Sequence, residues 1–342
     1  MLFVGEVFWG RGIEYYAKRS SLGYAFPFSG LTMAADKQGF DAWIGDMECP
    51  ITNRDIAYQI QVDELLFNCR PEYLTDAAKW FDVLTLANNH TNNNDGAWGI
   101  EQTHQNLEAV KIQYFGDYDM YHTANICEVI AMPAQRSIDN SSPQKITMPI
   151  ALCGYDYVGN VVPRQAEYEV MRQYANIMPV IAMPHMGVEY RPTAEDAKVA
   201  VYHELIDNGA DVVIGAHPHV VQNSENYKGR LIVYSTGNFM FDQQSLGKDT
   251  ILSLGVGLTL KLDGEASIQA YTEATNCQLA HDDCLTQLAT KMTKRPTFMV
   301  SYDTRCFEQS SNIPKKASPS TCDDILSRAT WTSATNGLSA TW

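Results

Sequence analysis

Polar residues able to hold a metal ion or move a proton recur in this chain directly after apolar runs. They are Glu6 and Arg11 around LFVGEVFWGRG, Asp46 and Glu48 in FDAWIGDMECP, and Asn88, Asn89 and His90 at the end of FDVLTLANNH. His185 and Glu189 follow in MPHMGVEY, and His217 and His219 in GAHPHVV. Carboxylates, an amide oxygen and imidazoles together suit borderline divalent ions such as Mn, Zn or Fe(II). Residues two apart on an extended chain point the same way, so Asp46 and Glu48 can share a face. Proline pushes the residue before it out of the helical region. His217 is therefore expected to be extended, with both rings of His217-Pro218-His219 aimed at one centre or at two adjacent ones. Taken singly, each of these residues is as readily a packed side chain, a cap or a turn former; the signal lies in their recurrence.

The elements that must position them follow from patterning. LFVGEVFW (2–9), the run at 40–50 and FDVLTLANNH (81–90) read as strands, the last as one buried on both faces of a parallel sheet. NICEVIAM, MPIALCGY, IMPVIAMP, DVVIGA and RLIVYSTGNF supply further strands. Helices are expected after Arg11, over PEYLTDAAK with proline in its first turn, over QTHQNLEAV, over PRQAEYEVMRQYAN and over AEDAKVAVYHELIDN, which Gly209 stops. His104 is placed on a solvated helix side, and His203 mid-helix as a packed or solvated residue. TILSLGVGLTLKLDGEASIQAY (250–271) reads as β with Asp263-Gly264 as a hairpin turn. Strands alternating with helices give an α/β fold, and strand ends are where such folds put chemistry. Residues 272–342, rich in Ser, Thr and Asn, read as a C-terminal extension with small helices, packed on a main domain of residues 1–271.

Composition narrows the function. The chain has 342 residues and a net charge of −15 with no basic run, which argues against a nucleic-acid partner. No apolar stretch is long enough for a membrane span, and the N-terminus lacks the pattern of a signal peptide. The expected setting is either the cytoplasm or, for a mature or trimmed form, an extracytoplasmic space. The 8 cysteines form no CxxC pair. Cys49, Cys69, Cys127 and Cys153 sit beside strands and read as core thiols, whereas Cys277, Cys284, Cys306 and Cys322 cluster late enough to form disulfides in an oxidising compartment.

Six blocks, FVGEVFWGRG, IGDMECPIT, LANNHTNNNDGAWGIEQT, MPHMGVEYRP, LIDNGADVVIGAHPHVVQ and VYSTGNFMFDQ, resemble in sequence and order those of the CapA capsule-biosynthesis (poly-γ-glutamate) family. That family belongs to the calcineurin-like metallophosphoesterase superfamily. The resemblance covers about residues 1–271 and implies a four-layer αββα sandwich with one or two divalent ions at strand ends. Carried over by motif, Glu6 would bind a first metal and Glu48 would bridge to a second. Asn89, His185 and His217 would bind the second metal and His219 the first. His90 would stand near the leaving group and, if protonated, give it a proton, while Arg11 and Glu189 would contact substrate or orient ligands. Asp46 reads as structural. Two positions depart from the pattern: Glu6 replaces an aspartate, and Phe8 stands where the superfamily has a second histidine ligand. The loop NNHTNNNDG is also longer than usual between His90 and Asp95-Gly96. The implied activity is that of a metal-dependent hydrolase or transferase acting on an anionic or peptide-like polymer, or on another phosphate-containing substrate. The alternatives are a non-catalytic polymer-binding subunit of capsule assembly and a metal-free acid–base enzyme of the epimerase type.

Overall fold

Along the first strand, β1 (Leu2–Val7), Leu2 and Val4 pack to one side and Phe3 to the other, the period-two alternation of a strand buried on both faces. The computed structural model, which describes residues 1–94, 96–116, 126–136, 143–159, 163–262, 264, 271 and 295–342, repeats this pattern through two sheets. With β1, the first sheet holds β2 (Trp43–Met47), β3 (Val83–Thr85), β4 (Gln113–Phe115), β11 (Asn238–Met240), β12 (Leu252–Leu262), β13 (Phe298–Ser310) and β14 (Ile313–Lys316). The second holds β5 (Cys127–Arg136), β6 (Gln144–Asp156), β7 (Val180–His185), β8 (Val212–Ile214), β9 (Ser224–Tyr227) and β10 (Arg230–Val233). The first is ordered β14-β13-β12-β1-β2-β3-β4, with β11 also pairing β1, and the second β5-β6-β7-β8-β10-β9. The described helices are α1 (Arg11–Ala17), α2 (Met33–Asp36), α3 (Tyr58–Asp63), α4 (Leu74–Ala77), α5 (Ala97–Ala109), α6 (Gln165–Ala175), α7 (Asp196–Asp207), α8 (Pro319–Arg328) and α9 (Trp331–Thr335).

Three apolar clusters define the layers. Phe3, Ile44, Val83, Leu152, Ile181, Val212 and Leu254 meet between the sheets. Trp43, Leu84 and Phe239 face the other way, toward Ile13 of α1, Leu74 of α4 and Leu107 of α5. Ala151, Val180 and Val213 do the same on the second sheet, toward Met171 of α6 and Tyr202 of α7. The order is helix, sheet, sheet, helix, the expected αββα arrangement. The central pairs β1–β2, β2–β3, β6–β7 and β7–β8 are parallel, so their C-terminal ends open on one edge.

Three expectations need correction. RLIVYSTGNF is not one strand: Arg230–Val233 belongs to the second sheet and Asn238–Met240 pairs with β1 in the first, with Tyr234–Gly237 crossing between them. The preceding SENY forms a hairpin with β10. The supposed extension is part of the first sheet, because β13 runs antiparallel to β12 from Leu252↔Glu308 to Leu262↔Phe298 and is itself covered by β14. The arm that would close a hairpin at Asp263-Gly264 lies outside the described residues. Finally, the four early cysteines are buried but not thiols. Cys49 pairs with Cys69 and Cys127 with Cys153, the latter two directly opposed on β5 and β6. Cys306 pairs with Cys322, tying β13 to α8, while Cys277 and Cys284 lie outside the described residues.

A buried carboxylate secures the C-terminal part. Asp211, before β8, accepts from Arg295 at 2.6 Å and from the Val180 amide at 2.9 Å, and pairs with Arg230 at 3.3 Å. Removing one partner of a buried ion pair leaves the others desolvated and uncompensated. Asp211→Ala is expected to cost about 3–5 kcal/mol, read as a lowered urea midpoint with an unchanged slope.

Candidate metal centre

The edge where the parallel strands end gathers the polar residues. Glu6 lies near the end of β1, Asp46 in β2 and Glu48 just past it. Asn88, Asn89 and His90 lie in the turn after β3, His185 ends β7, and His217 and His219 follow β8. His185 is the hub. Its Nε2 is 3.1 Å from Asn89 Oδ1 and 3.1 Å from His217 Nδ1, and 3.9 Å from Glu48 Oε1. Ligands about 2.0–2.2 Å from a zinc-like ion stand roughly 3–3.5 Å apart at tetrahedral angles, so Asn89 and His217 each stand at a co-ligand's distance from His185. Beside them, one donor atom each from Glu6, Glu48 and His219 lie within 4.8 Å of one another, as do those of Glu189, His217 and His219. Glu48 Oε1 is 3.6 Å from His219 Nε2, which puts it between the two groups.

Hydrogen bonds decide which ring nitrogen each histidine offers. His185 Nδ1 stands 2.7 Å from Asp46 Oδ2, and donation there leaves the Nε2 lone pair facing Asn89 and His217. The Asn238 amide donates to Gln243 and to the Thr250 carbonyl, so its oxygen must face His219 Nδ1 at 2.9 Å, again freeing Nε2. Asp46, read as structural, is thus the group that orients His185, and Asn238 does the same for His219. Sequence reasoning passed over Asn238 although it sits in the GNF block, because an asparagine after glycine reads first as a turn residue.

The backbone is strained at the same place. His217 has φ +91° and His219 +59°, and Arg11 (+40°) and Tyr190 (+61°) stand beside them. Non-glycine residues with positive φ cost free energy and gather at functional sites. His217 is therefore in a bend, not extended as expected from the following proline. Its amide turns to donate to Glu6 Oε1 at 2.7 Å, a reach the longer glutamate side chain makes possible.

Charge completes the picture. Glu6 Oε2, Glu48 Oε2 and Asp46 Oδ1 are buried without a hydrogen-bond partner. Burial, then repulsion from Glu6 and Asp46, pushes the Glu48 carboxyl well above its ordinary range, and burial pushes Asp46 up to about 8. Burial also drives His185 and His217 down, so both rings are neutral and have lone pairs to offer. Orphaned carboxylate oxygens beside neutral imidazoles fit a divalent cation, which would supply the missing positive charge. On the Glu6 side, Phe8 offers no donor. It is fully buried and packs on Phe67 and Phe241 at ring distances of 5.0 and 4.9 Å.

His90 stands at the rim, its ring stacked on Phe67 at 3.8 Å. Its Nδ1 donates to Asn93 Oδ1 at 2.9 Å, and burial lowers it to about 4. Asn93 Oδ1 thus takes the Nδ1 proton of a neutral ring. Glu189 is 45% exposed, with Oε1 4.0 Å from His219 Nε2. Arg11 pairs with Asp242. Asp95, in the lengthened loop, lies outside the described residues.

A family model for the bacterial capsule synthesis protein PGA_cap matches residues 1–243. The chain belongs to the PGA_cap family. Every residue of the cluster, from Glu6 to Asp242, falls within the matched span. The chain is similar to a capsule biosynthesis protein CapA of Bacillus anthracis, 26% identical over 259 residues covering 71% of this chain and 60% of the relative. It is also 26% identical over 262 residues to a PGA biosynthesis protein CapA of Bacillus subtilis (strain 168), covering 70% and 63%. It thus spans less than two thirds of the length of these curated relatives. Among solved structures it is similar to a hypothetical protein from Thermus thermophilus, with TM-score 0.45, 13% identity and coverage of 90% of this chain and 99% of that one. It is also similar to the calcineurin-like phosphoesterase YfkN from Bacillus subtilis, with TM-score 0.42, 12% identity and coverage of 85% and 96%. Among the described residues of this PGA_cap chain, no helix is long and apolar enough to cross a membrane.

The Asp46–His185 contact makes a prediction about the site. In Asp46→Asn the amide nitrogen can donate to Nδ1, which moves the ring proton to Nε2 and blocks the lone pair. Outer-shell partners of metal-bound histidines are typically worth about 10–100-fold in affinity. Asp46→Asn is expected to weaken divalent-ion binding by that factor, measured by titration against a fluorescent chelator.

Proposed function

We propose that this PGA_cap protein is a metal-dependent hydrolase or transferase that works on a peptide-like or phosphate-containing substrate, with poly-γ-glutamate the leading polymer. The observation that carries the reading is that Asn89 Oδ1 and His217 Nδ1 each lie 3.1 Å from His185 Nε2, beside the orphaned oxygens of Glu6 and Glu48. Asn89, His185 and His217 would hold one ion, and Glu6 and His219 a second, with Glu48 reaching both. Divalent ions at such a centre polarise a phosphoryl or carbonyl oxygen and make water a nucleophile near neutral pH. The chain's own contribution is positional. Asp46 and Asn238 fix the ring tautomers, the His217 amide holds Glu6, and the aromatic wall of Phe8, Phe67 and Phe241 limits water on one side. Glu189, exposed at the rim beside His219, is placed to meet substrate.

The family match and the names of its relatives support a role in capsule metabolism. The described disulfides support an oxidising compartment, where such bonds form and persist. The test is elemental analysis of protein reconstituted with Mn, Zn or Fe, followed by assays on phosphomonoester, phosphodiester and poly-γ-glutamate substrates. Bound metal with turnover of one of them is the expected result. Protein that takes up no metal after reconstitution would remove the reading, and polymer binding that survives loss of His217 and His219 would point to the accessory role instead.

A further inference from the structure

Arg11 is the first residue of α1 and is held on three sides. Its Nε and Nη2 donate to Asp242 Oδ1 at 3.1 and 2.5 Å, and Asp242 Oδ2 accepts the Gly12 amide at 2.9 Å. The guanidinium carbon lies 4.3 Å from the centre of the Phe67 ring, 5.0 Å from Phe8 and 5.5 Å from Phe241. Its side chain is 10% exposed. Both Asp242 oxygens are engaged, and among the described residues Nη1 makes no hydrogen bond.

The contacts of Arg11 link it to the strand-end cluster. The Phe67 ring under Arg11 also carries His90, and the Phe67 amide donates to the same Asn93 oxygen that His90 does, so Arg11 and His90 are registered to each other through one residue. Arg11 is close enough to Glu48 to lower its carboxyl against the effect of burial. Glu6, Asp46, Glu48 and Glu189 around the cluster are acidic, while the Lys198 ammonium, near enough to bear on His185 and His217, is fully buried and donates to Gln222. A guanidinium with one edge fixed by a carboxylate and its plane fixed by aromatic rings is preorganised to receive an oxyanion on the other edge. Arg11 also has a positive φ, +40°, of the kind that gathers at functional sites.

We propose that Arg11 is the anion receptor of this site. The substrate presents a carboxylate or phosphate oxygen to Nη1, and Asp242 and Phe67 are positioning residues that set the guanidinium. This rests on the reading of the strand-end cluster as a substrate site, but not on metal occupancy. A purely structural Arg11–Asp242 pair would change stability when broken without changing affinity for anions.

The experiment uses full-length protein stripped of metal with chelator and then dialysed. Inorganic phosphate and γ-glutamylglutamate are titrated calorimetrically into wild type, Arg11→Gln, Arg11→Lys and Asp242→Asn. Wild type should bind at least one probe, and which one assigns phosphate or carboxylate. Arg11→Gln should bind at least about tenfold more weakly, the worth of one charge-assisted hydrogen bond. Arg11→Lys should recover part of the loss, and Asp242→Asn should weaken binding while keeping a cooperative thermal transition. Wild type that binds neither probe, or Arg11→Gln that binds as tightly as wild type, overturns the proposal. Should Arg11→Gln fail to fold, unchanged affinity in both Arg11→Lys and Asp242→Asn overturns it as well. Metal content is measured separately, so Arg11-dependent binding in a protein that never takes up metal would sink the metal reading and leave this one standing.

Discussion

His217→Ala should abolish tight divalent-ion binding while leaving the fold intact. The ring supplies Nδ1 to the group formed with Asn89 and His185, whereas the link to Glu6 runs through the His217 amide, which alanine keeps. Losing an outer-shell partner typically costs about 10–100-fold in metal affinity, and a direct ligand is worth more, so a fall beyond about 100-fold is expected. The wild-type affinity should also depend on pH in a defined direction. Burial raises the carboxyls of Asp46, to about 8, and of Glu48. Asp46 holds a proton below about 8 and the same burial favours the protonated form of Glu48, so an ion must displace protons and apparent affinity should climb as pH rises from about 6 to about 8. The histidines do not reverse the trend, because burial already keeps His185 and His217 neutral well into acid. Competition titration with a chelator, alongside a urea melt of each variant, measures both effects. A His217→Ala protein that binds the ion like wild type, or a wild-type affinity flat across this pH range, would mean that the converging side chains are not its ligands.

Much of this cluster is legible in the sequence because the physics that places it is local. A parallel strand buried on both faces must be apolar along its length, and the first polar residues after it mark the edge where strands end. Glu6, Glu48, Asn89, His185, His217 and His219 all announce themselves in that way. What local pattern leaves open is register over long separations. Asp46 and His185 are 139 residues apart, and only the packing of one sheet on the other shows that Asp46 Oδ2 meets Nδ1. The same limit hides Asp242 behind Arg11, 231 residues away, and the Cys127–Cys153 pair, which depends on how β5 lies against β6.

Other features were masked by a competing signal. RLIVYSTGNF reads as one strand because its apolar content is continuous, although Ser-Thr-Gly inside it is turn chemistry and marks the crossing between sheets. The polar composition around residue 300 suggests an extension. Yet FMVSYDTRCF alternates in burial along an interior strand of the first sheet, with its partner β12 lending the apolar face. His217 shows the limit of a single-residue rule. Proline ordinarily sends the residue before it to extended backbone, but His217 is held at positive φ, where its amide donates to Glu6 Oε1.

Gly5→Ala should be the most damaging glycine-to-alanine substitution among the described residues. At this residue β1 changes partners, from β12 at Leu2 and Phe3 to β11 at Glu6. The exchange brings the backbone of Thr236 and Gly237 against β1 so closely that a Cβ on Gly5 would sit 1.6 Å from the Gly237 carbonyl oxygen. The obstacle is backbone, so no rotamer relieves it. Gly237 cannot retreat either, since it has φ +70° and its own Cβ position is 2.6 Å from the Leu252 carbonyl oxygen. Ordinary overpacking costs about 1–3 kcal/mol, and a clash between two fixed backbones should exceed that range. Gly39→Ala is the fitting control. Gly39 also has positive φ, +89°, but nothing lies within 4 Å of its Cβ position, so only the conformational strain of about 1–2 kcal/mol remains. Urea unfolding should therefore separate the two variants clearly. Because Glu6 is the next residue, any Gly5→Ala protein that folds should also bind divalent ions more weakly, whereas Gly39→Ala should bind them as wild type does. Equal stabilities for the two variants would mean that β1 and β11 can move apart, and that Glu6 is not held where the metal centre needs it.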